Sequence, residues 1–137
     1  MFLSLFGRRK PKPSETYSFV VTAVNPITRR ERILQRIEEK CIRLEVEENS
    51  PGGVGCHVWT GGTSGRGKGG GYGRMSLDGR TVAVHITSWI CHHGPIAPRW
   101  ELDHKCNNRL CREDKHLELV TRKVNNDRRL ERFACRK

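Results

Sequence analysis

A chain of 137 residues has room for one domain, and a hydrophobic content of 35% predicts a small core that needs support besides apolar burial, such as a bound metal. The net charge of +11 and the pI of about 9.9 favour a polyanionic partner, with a merely solvated basic surface as the alternative. No segment has the pattern of a membrane span or a secretory signal, so we expect a cytoplasmic protein rather than a membrane or secreted one.

The first part of the chain is predicted to contain a basic tail and then one helix. Residues 1–28 form the tail, which includes a stiff Lys-Pro linker and a possible short strand at 17–21. Residues 29–137 are predicted to form the folded domain. Within it, residues 30–41 repeat apolar side chains at helical spacing. The side chains that share this face are Ile33, Leu34, Ile37 and Cys41.

A glycine-rich segment at residues 61–73 follows a predicted strand at 56–60. A phosphate-binding loop would lead into a helix, and no helical pattern follows here. The segment therefore predicts a hairpin loop, with Arg66 and Lys68 lying along DNA. An inert linker is the alternative.

Two further strands and a short helix are predicted next. Residues 72–77 and 81–86 alternate in the manner of strands, and the Asp78-Gly79 pair between them favours a tight hairpin turn. A short helix is predicted to begin within residues 87–91 and to end at Gly94.

The last part of the chain predicts a strand, a polar loop, a second strand and a helix. The strands are residues 100–104 and 116–120, and Thr121 is placed to cap a basic helix that runs to about Ala134. Together these elements predict a small α+β fold.

Cysteine and histidine spacing predicts a structural zinc site. Cys106, Cys111 and His116 follow one another at intervals of five, and thiolates with imidazole are ligands that suit tetrahedral Zn²⁺. Cys56 is our choice for the fourth ligand because it opens a strand beside glycines, and Cys91 is held in reserve. The alternative is that Cys106 and Cys111 are only small packing residues. The remaining cysteines are predicted to be packing residues or free thiols: Cys41, Cys91 and Cys135.

A second constellation lies beside the zinc ligands. His104 stands two residues before Cys106, so the same ion would fix its backbone, and Asp103 precedes it. The strand, loop, strand and helix would fold His104 towards Asn125. Oxygen donors such as Asn and Asp suit a hard ion such as Mg²⁺.

Between residues 56 and 129 the chain resembles the phage-type HNH endonucleases, and its zinc spacing is similar to that of the His-Cys box homing endonucleases. Both belong to the ββα-metal nuclease class. The motifs that carry the resemblance are Cys56, Trp59-Thr60-Gly61, Gly71-Tyr72-Gly73-Arg74, His85, Gly94-Pro95-Ile96, Leu102-Asp103-His104-Lys105-Cys106, Asn108-Arg109-Leu110-Cys111, His116-Leu117 and Asn125-Asn126. One departure is that residues 112–115 replace the Asn-Pro pair of many relatives, although the loop length is kept.

The resemblance implies a ββα-metal fold and a metal-dependent DNA endonuclease. It implies that His104 deprotonates the attacking water and that Asn125 binds the single catalytic Mg²⁺ or Mn²⁺, with Asp103 as a second ligand. It also implies that His85 lies near the site and that Arg74 touches a phosphate, although a structural role is an alternative for both. The four residues implied as structural zinc ligands are Cys56, Cys106, Cys111 and His116.

The last helix is basic and could contact DNA phosphates, although solvation of this face is the alternative. The cations concerned are Arg122, Lys123, Arg128, Arg129 and Arg132. A homodimer could cut both strands, whereas a monomer would nick. Two other functions compete: a zinc-stabilised DNA-binding module, and a phage assembly or packaging protein without cleavage activity.

Overall fold

The computed structural model describes residues 27–135 and contains three helices and six strands within that range. The strands pair as three antiparallel two-stranded sheets, β1 with β2, β3 with β4 and β5 with β6. The predicted α+β class is confirmed. In chain order the elements are α1 Arg29–Glu38, β1 Cys41–Arg43, β2 His57–Trp59, β3 Arg74–Leu77, β4 Arg80–Ala83, α2 Val84–His93, β5 Trp100–His104, β6 Leu117–Thr121 and α3 Arg122–Ala134.

Helix α1 begins with a capping box, in which Thr28 and Glu31 each accept a hydrogen bond from the other's backbone N–H. Ile33 and Ile37 form its buried face. The predicted helix over residues 30–41 was therefore wrong at its end, because Cys41 begins β1 and pairs with Trp59. The helical spacing of apolar residues extends to Cys41 in the sequence because this first residue of β1 also packs against the core.

The main core is small and lies between α1, α2 and the first two sheets. Its buried members are Ile33, Ile37, Trp59, Met75 and Val84. Cys41 and Cys91 pack against it, which confirms the packing role predicted for both. No residue of β5, β6 or α3 belongs to this cluster of the described chain, so the last part of the fold depends on other interactions.

The predicted hairpin at residues 78–79 is confirmed, and both turn residues have positive φ, 50° at Asp78 and 74° at Gly79. The strand that follows is shorter than predicted. Residues 84–86 belong to α2, which also begins before the predicted helix start at 87–91. Val84 and Ser88 are buried one helical turn apart. A short apolar run of this kind fits both the two-residue repeat of a strand and the 3.6-residue repeat of a helix.

The strands β5 and β6 pair over their full length, with Trp100 opposite Thr121 and His104 opposite Leu117. Thr121 then caps α3 by accepting a hydrogen bond from the Val124 N–H, as predicted. The two strands and the helix form a ββα unit. The loop of residues 105–116 connects its strands and contains three of the predicted zinc ligands.

The glycine-rich segment forms a closed loop. Thr63 and Gly73 pair across its base, and the Ser64 N–H donates to the Tyr72 carbonyl at 2.8 Å. The possible strand at 17–21 and nearly all of the tail at 1–28 lie outside the described residues. Within the described range, no helix has the length and apolar character needed to cross a membrane.

Candidate metal centre and active site

Four side chains converge as predicted for a metal centre. The ligand atoms of Cys56, Cys106, Cys111 and His116 all lie within 4.8 Å of one another. His116 Nδ1 is 3.4 Å from Cys56 Sγ and 3.5 Å from Cys111 Sγ. Zinc–ligand lengths of about 2.3 Å for sulfur and about 2.0–2.1 Å for nitrogen give a tetrahedral S···N edge of about 3.6 Å. The cluster can therefore hold a metal ion such as zinc.

The hydrogen bonding of His116 fits a ligand role. Its ring is fully buried, and Nε2 lies 2.9 Å from the Val54 carbonyl oxygen. Because a carbonyl only accepts, Nε2 carries the hydrogen and Nδ1 presents its lone pair to the thiols. An outer partner of this kind fixes the tautomer and orientation of metal-binding histidines.

The thiols also fit a cation electrostatically. A hydrogen bond from Cys111 lowers the pKa of the Cys106 thiol to about 5. The same contact, together with burial, raises the pKa of Cys111, and burial raises that of Cys56. Without a cation, one thiolate forms readily and the others resist ionisation. A bound cation would remove this obstacle by stabilising all three as thiolates.

Backbone contacts fix the ligand loop against β2. Cys111 pairs with Val58, and the Trp59 N–H donates to the Leu110 carbonyl at 2.9 Å. Cys56 directly precedes this strand, which brings it to the loop as predicted. The reserve ligand, Cys91, packs against the core instead.

His104 ends β5 and is 4% exposed. Its Nε2 lies 3.0 Å from the Cys111 carbonyl oxygen, so Nε2 carries the hydrogen and Nδ1 keeps a free lone pair. Burial lowers the pKa of His104. A neutral imidazole with a defined tautomer can accept a proton at Nδ1.

His85 and Tyr72 surround the His104 ring. The His85 ring centroid is 4.7 Å from that of His104, and Tyr72 stacks on His85 at 5.3 Å. His85 Nδ1 is buried and has no hydrogen-bond partner within residues 27–135. Burial, and then the charges of His104 and Arg74, lower the pKa of His85 to about 3. Both histidines are therefore neutral near pH 7.

Of the other predicted catalytic residues, Asn125 lies on α3 and Asp103 faces that helix, whereas Arg74 begins β3. Asn125 Nδ2 donates to Glu101 Oε2 at 2.7 Å. Asp103 is 4% exposed, and its carboxylate accepts hydrogen bonds from Arg128 at 3.1 Å and from Arg132 at 2.9 and 3.0 Å. Although burial opposes it, hydrogen bonds from Arg132 and Arg128 hold the pKa of Asp103 below its ordinary value.

The candidate residues thus fall into two groups, one around His104 and one around Asp103. These two residues are successive in β5, and their side chains point to opposite faces of the strand. His104 lies with His85 and Tyr72, whereas Asp103 lies with the arginines of α3. Within the described residues, no hydrogen bond joins His104 to Asn125. Their convergence around a catalytic ion remains a prediction.

The residues predicted to bind DNA differ in availability. Arg66 and Lys68 are exposed in the glycine-rich loop, and the Arg122 side chain is 82% exposed. Arg128 is engaged by Asp103 and Glu118, and Arg132 by Asp103, because these side chains face the sheet rather than solvent. The other exposed cations of α3 are Lys123 and Arg129.

One contact between two loops was not predicted. The Arg109 guanidinium lies over the Tyr72 ring, 5.2 Å from its centroid, and also donates to the Gly70 carbonyl. This contact ties the glycine-rich loop to the ligand loop. An arginine in a polar loop and a distant tyrosine carry no local signal that would pair them.

Comparison with known proteins agrees with this geometry. Residues 82–127 match the family described as HNH endonuclease. The resemblance to HNH endonucleases is confirmed. This HNH segment contains His85, the His104 strand, three of the metal ligands and Asn125, whereas Cys56 lies outside it.

A relative in the curated proteins is similar over a longer part of the chain. It is "Protein 7.7" of Escherichia phage T7, 35% identical over 72 residues, which are 53% of this chain and 52% of the relative. The chain thus matches about half the length of this phage protein. No solved structure matches the chain.

Proposed function

We propose that this protein is a metal-dependent DNA endonuclease of the HNH type, with His104 as general base. The observation that carries the proposal is the hydrogen bond from His104 Nε2 to the Cys111 carbonyl. It assigns the tautomer and leaves Nδ1 as the proton acceptor. The HNH match over residues 82–127 supports nucleic acid as the substrate, and the net charge of +11 agrees with it.

His104 takes a proton at Nδ1 from a water molecule, whose oxygen then attacks phosphorus. The bond to the 3′ oxygen breaks and that oxygen takes up a proton from solvent water, giving 5′-phosphate and 3′-hydroxyl ends. A general base of this kind contributes about 10²–10⁴-fold to a rate. Arg74 contacts a phosphate oxygen, and His85 Nδ1, which has no partner within the described chain, accepts a hydrogen bond from a group at the site.

Asn125 holds the catalytic ion, Mg²⁺ or Mn²⁺. Its amide nitrogen donates to Glu101, which leaves the amide oxygen to face a cation. Asp103 would be the second ligand, and its carboxylate would then have to give up a hydrogen bond from Arg128 or Arg132. When bound, the ion stabilises negative charge on the phosphate and the leaving oxygen. Zn²⁺ in the four-ligand cluster is structural.

Exposed cations contact DNA phosphates and give affinity without sequence choice. Arg128 joins them when Asp103 turns to the ion. A homodimer would place two sites for double-strand cleavage, and one chain alone would nick. Similarity to a phage protein favours action in the host cytoplasm, alone or within a packaging complex. The exposed cations proposed to contact DNA phosphates are Arg66, Lys68, Arg122, Lys123 and Arg129.

The test is cleavage of supercoiled plasmid DNA across Mg²⁺, Mn²⁺ and no added ion. We expect wild-type protein to cut with Mg²⁺ or Mn²⁺ and EDTA to stop it. His104→Ala should lose at least about 10²-fold in rate while keeping zinc and DNA binding. His93→Ala, a half-exposed histidine bonded to Asp114, is the matched control and should cut normally. If His104→Ala cleaves DNA as fast as wild-type protein, His104 is not the general base.

One observation favours a second function, a zinc-stabilised DNA-binding or phage assembly protein without cleavage activity. Asp103 and Asn125, the proposed cation ligands, are each bonded to other side chains. If those bonds persist, no divalent ion binds there. DNA binding with no cleavage at any divalent ion would establish this function instead.

A further inference from the structure

A basic pocket of about 300 Å³ lies between α1 and the β2–β3 region, apart from the metal cluster. Arg36 and Lys40 line it from α1 and its end, and Arg74 lines it from β3. The one acidic side chain in its lining is Glu39. Three cations against one carboxylate make the pocket a site for an anion.

The pocket has a defined shape. Arg36 donates to the Ser76 carbonyl at 2.9 Å, which holds its guanidinium at the wall. The Lys40 ammonium lies 5.8 Å from the centroid of the Trp59 ring, and that tryptophan is 3% exposed. A buried aromatic side chain therefore forms part of the pocket wall.

The charges in the pocket are not neutralised. None of Arg36, Lys40 and Arg74 forms a salt bridge with any residue in the described part of the chain. Other cations of the same region do, for example Arg29 with Asp78. Cations held close together without carboxylate partners are stabilised when a phosphate binds.

The pocket adjoins the candidate active site through Arg74. This residue follows the Tyr72-Gly73 segment beside the catalytic histidines, and its charge acts on the His85 ring. A DNA strand with one phosphate at His104 would thus bring a neighbouring phosphate towards the pocket by way of Arg74.

We propose that Arg36, Lys40 and Arg74 form a subsite for a DNA backbone phosphate. This phosphate lies on the strand that is cut and neighbours the phosphate at which cleavage occurs. The proposal rests on the proposed function for the identity of the ligand. Arg74 spans the two sites, whereas Arg36 and Lys40 bind DNA only through this subsite. They supply affinity and strand position and take no part in the chemistry.

The test is equilibrium binding of a fluorescent DNA duplex to the zinc-loaded protein, with no Mg²⁺ or Mn²⁺ added, across a range of salt concentrations. The variant is Arg36→Gln with Lys40→Gln, and the matched control is Arg32→Gln, an exposed arginine of α1 outside the pocket lining. Loss of one phosphate contact should lower the slope of log K against log [salt] by about 1. The control should keep the wild-type slope. Lys40→Gln alone is the test if the double variant melts early.

A wild-type slope in the pocket variant overturns the subsite, and so does an equal loss in Arg32→Gln, which would indicate diffuse charge. Both results are independent of cleavage. A wild-type protein that binds DNA but never cuts it overturns the proposed function and leaves the subsite intact. Cleavage by wild-type protein with an unchanged slope in the pocket variant overturns the subsite alone.

Discussion

Removal of the metal should unfold the ββα unit. The main apolar core excludes β5, β6 and α3. Within that unit the buried apolar side chains are Leu117 and Val120. Burying two such side chains contributes about 3–6 kcal/mol, whereas a structural zinc ion contributes about 10–16 kcal/mol. Since a whole domain is stable by about 5–15 kcal/mol, the ion decides whether the unit folds.

The assay is thermal melting followed by far-ultraviolet circular dichroism, with zinc measured on the same samples. Protein freed of metal by a strong chelator should lose its cooperative transition above 25 °C, and stoichiometric zinc should restore it. His116→Ala should behave as the chelated protein, because it removes a ligand. His93→Ala should melt as wild type within a few degrees, because a solvent-exposed side-chain contact such as that to Asp114 contributes at most about 1 kcal/mol. An unchanged melt in protein shown to be free of metal would refute the reasoning.

Three further predictions follow from single contacts. Asp103→Asn should lower the free energy of unfolding in urea by about 1–3 kcal/mol, since it leaves the partly buried Arg132 guanidinium without an anion and Arg128 with Glu118 alone; an unchanged midpoint would contradict this. His85 has a folded-state pKa of about 3, below its ordinary 6.5. As the pH falls, His85 is protonated in the unfolded chain before it is protonated in the folded protein. Its contribution to the free energy of unfolding is therefore fully present above about pH 6.5 and falls by about 2 kcal/mol by pH 5. His85→Phe should remove that part of the acid sensitivity, and an identical pH profile in the variant would disprove it. Arg109→Ala should remove about 0.5–1 kcal/mol of cation–π attraction to Tyr72 and expose the glycine-rich loop to faster proteolysis than Arg99→Ala does.

Features with local chemistry were predicted well from the sequence. The ligand intervals at Cys106, Cys111 and His116 identify the cluster because metal geometry limits spacing and ligand type together. The cap at Thr121 was found because Ser, Thr, Asp and Asn at a helix start satisfy free N–H groups. The turn at Asp78-Gly79 follows from its need for positive φ.

Features set by distant neighbours were not predicted. The start of α2 was missed because its apolar residues fit both a strand and a helix until their partners in the core are known. The pairing of Asp103 with Arg128 and Arg132 was also missed, since residues of this type suit an ion pair and a cation site equally. Only the fold places those arginines over the strand.

Cys111 contributes to the metal centre through sulfur and to the orientation of His104 through its carbonyl oxygen. Loss of a bound ion would therefore disturb the loop that carries this carbonyl oxygen, and with it the orientation of the His104 ring. In the proposed function, cleavage of DNA would then depend on prior metallation of this cluster.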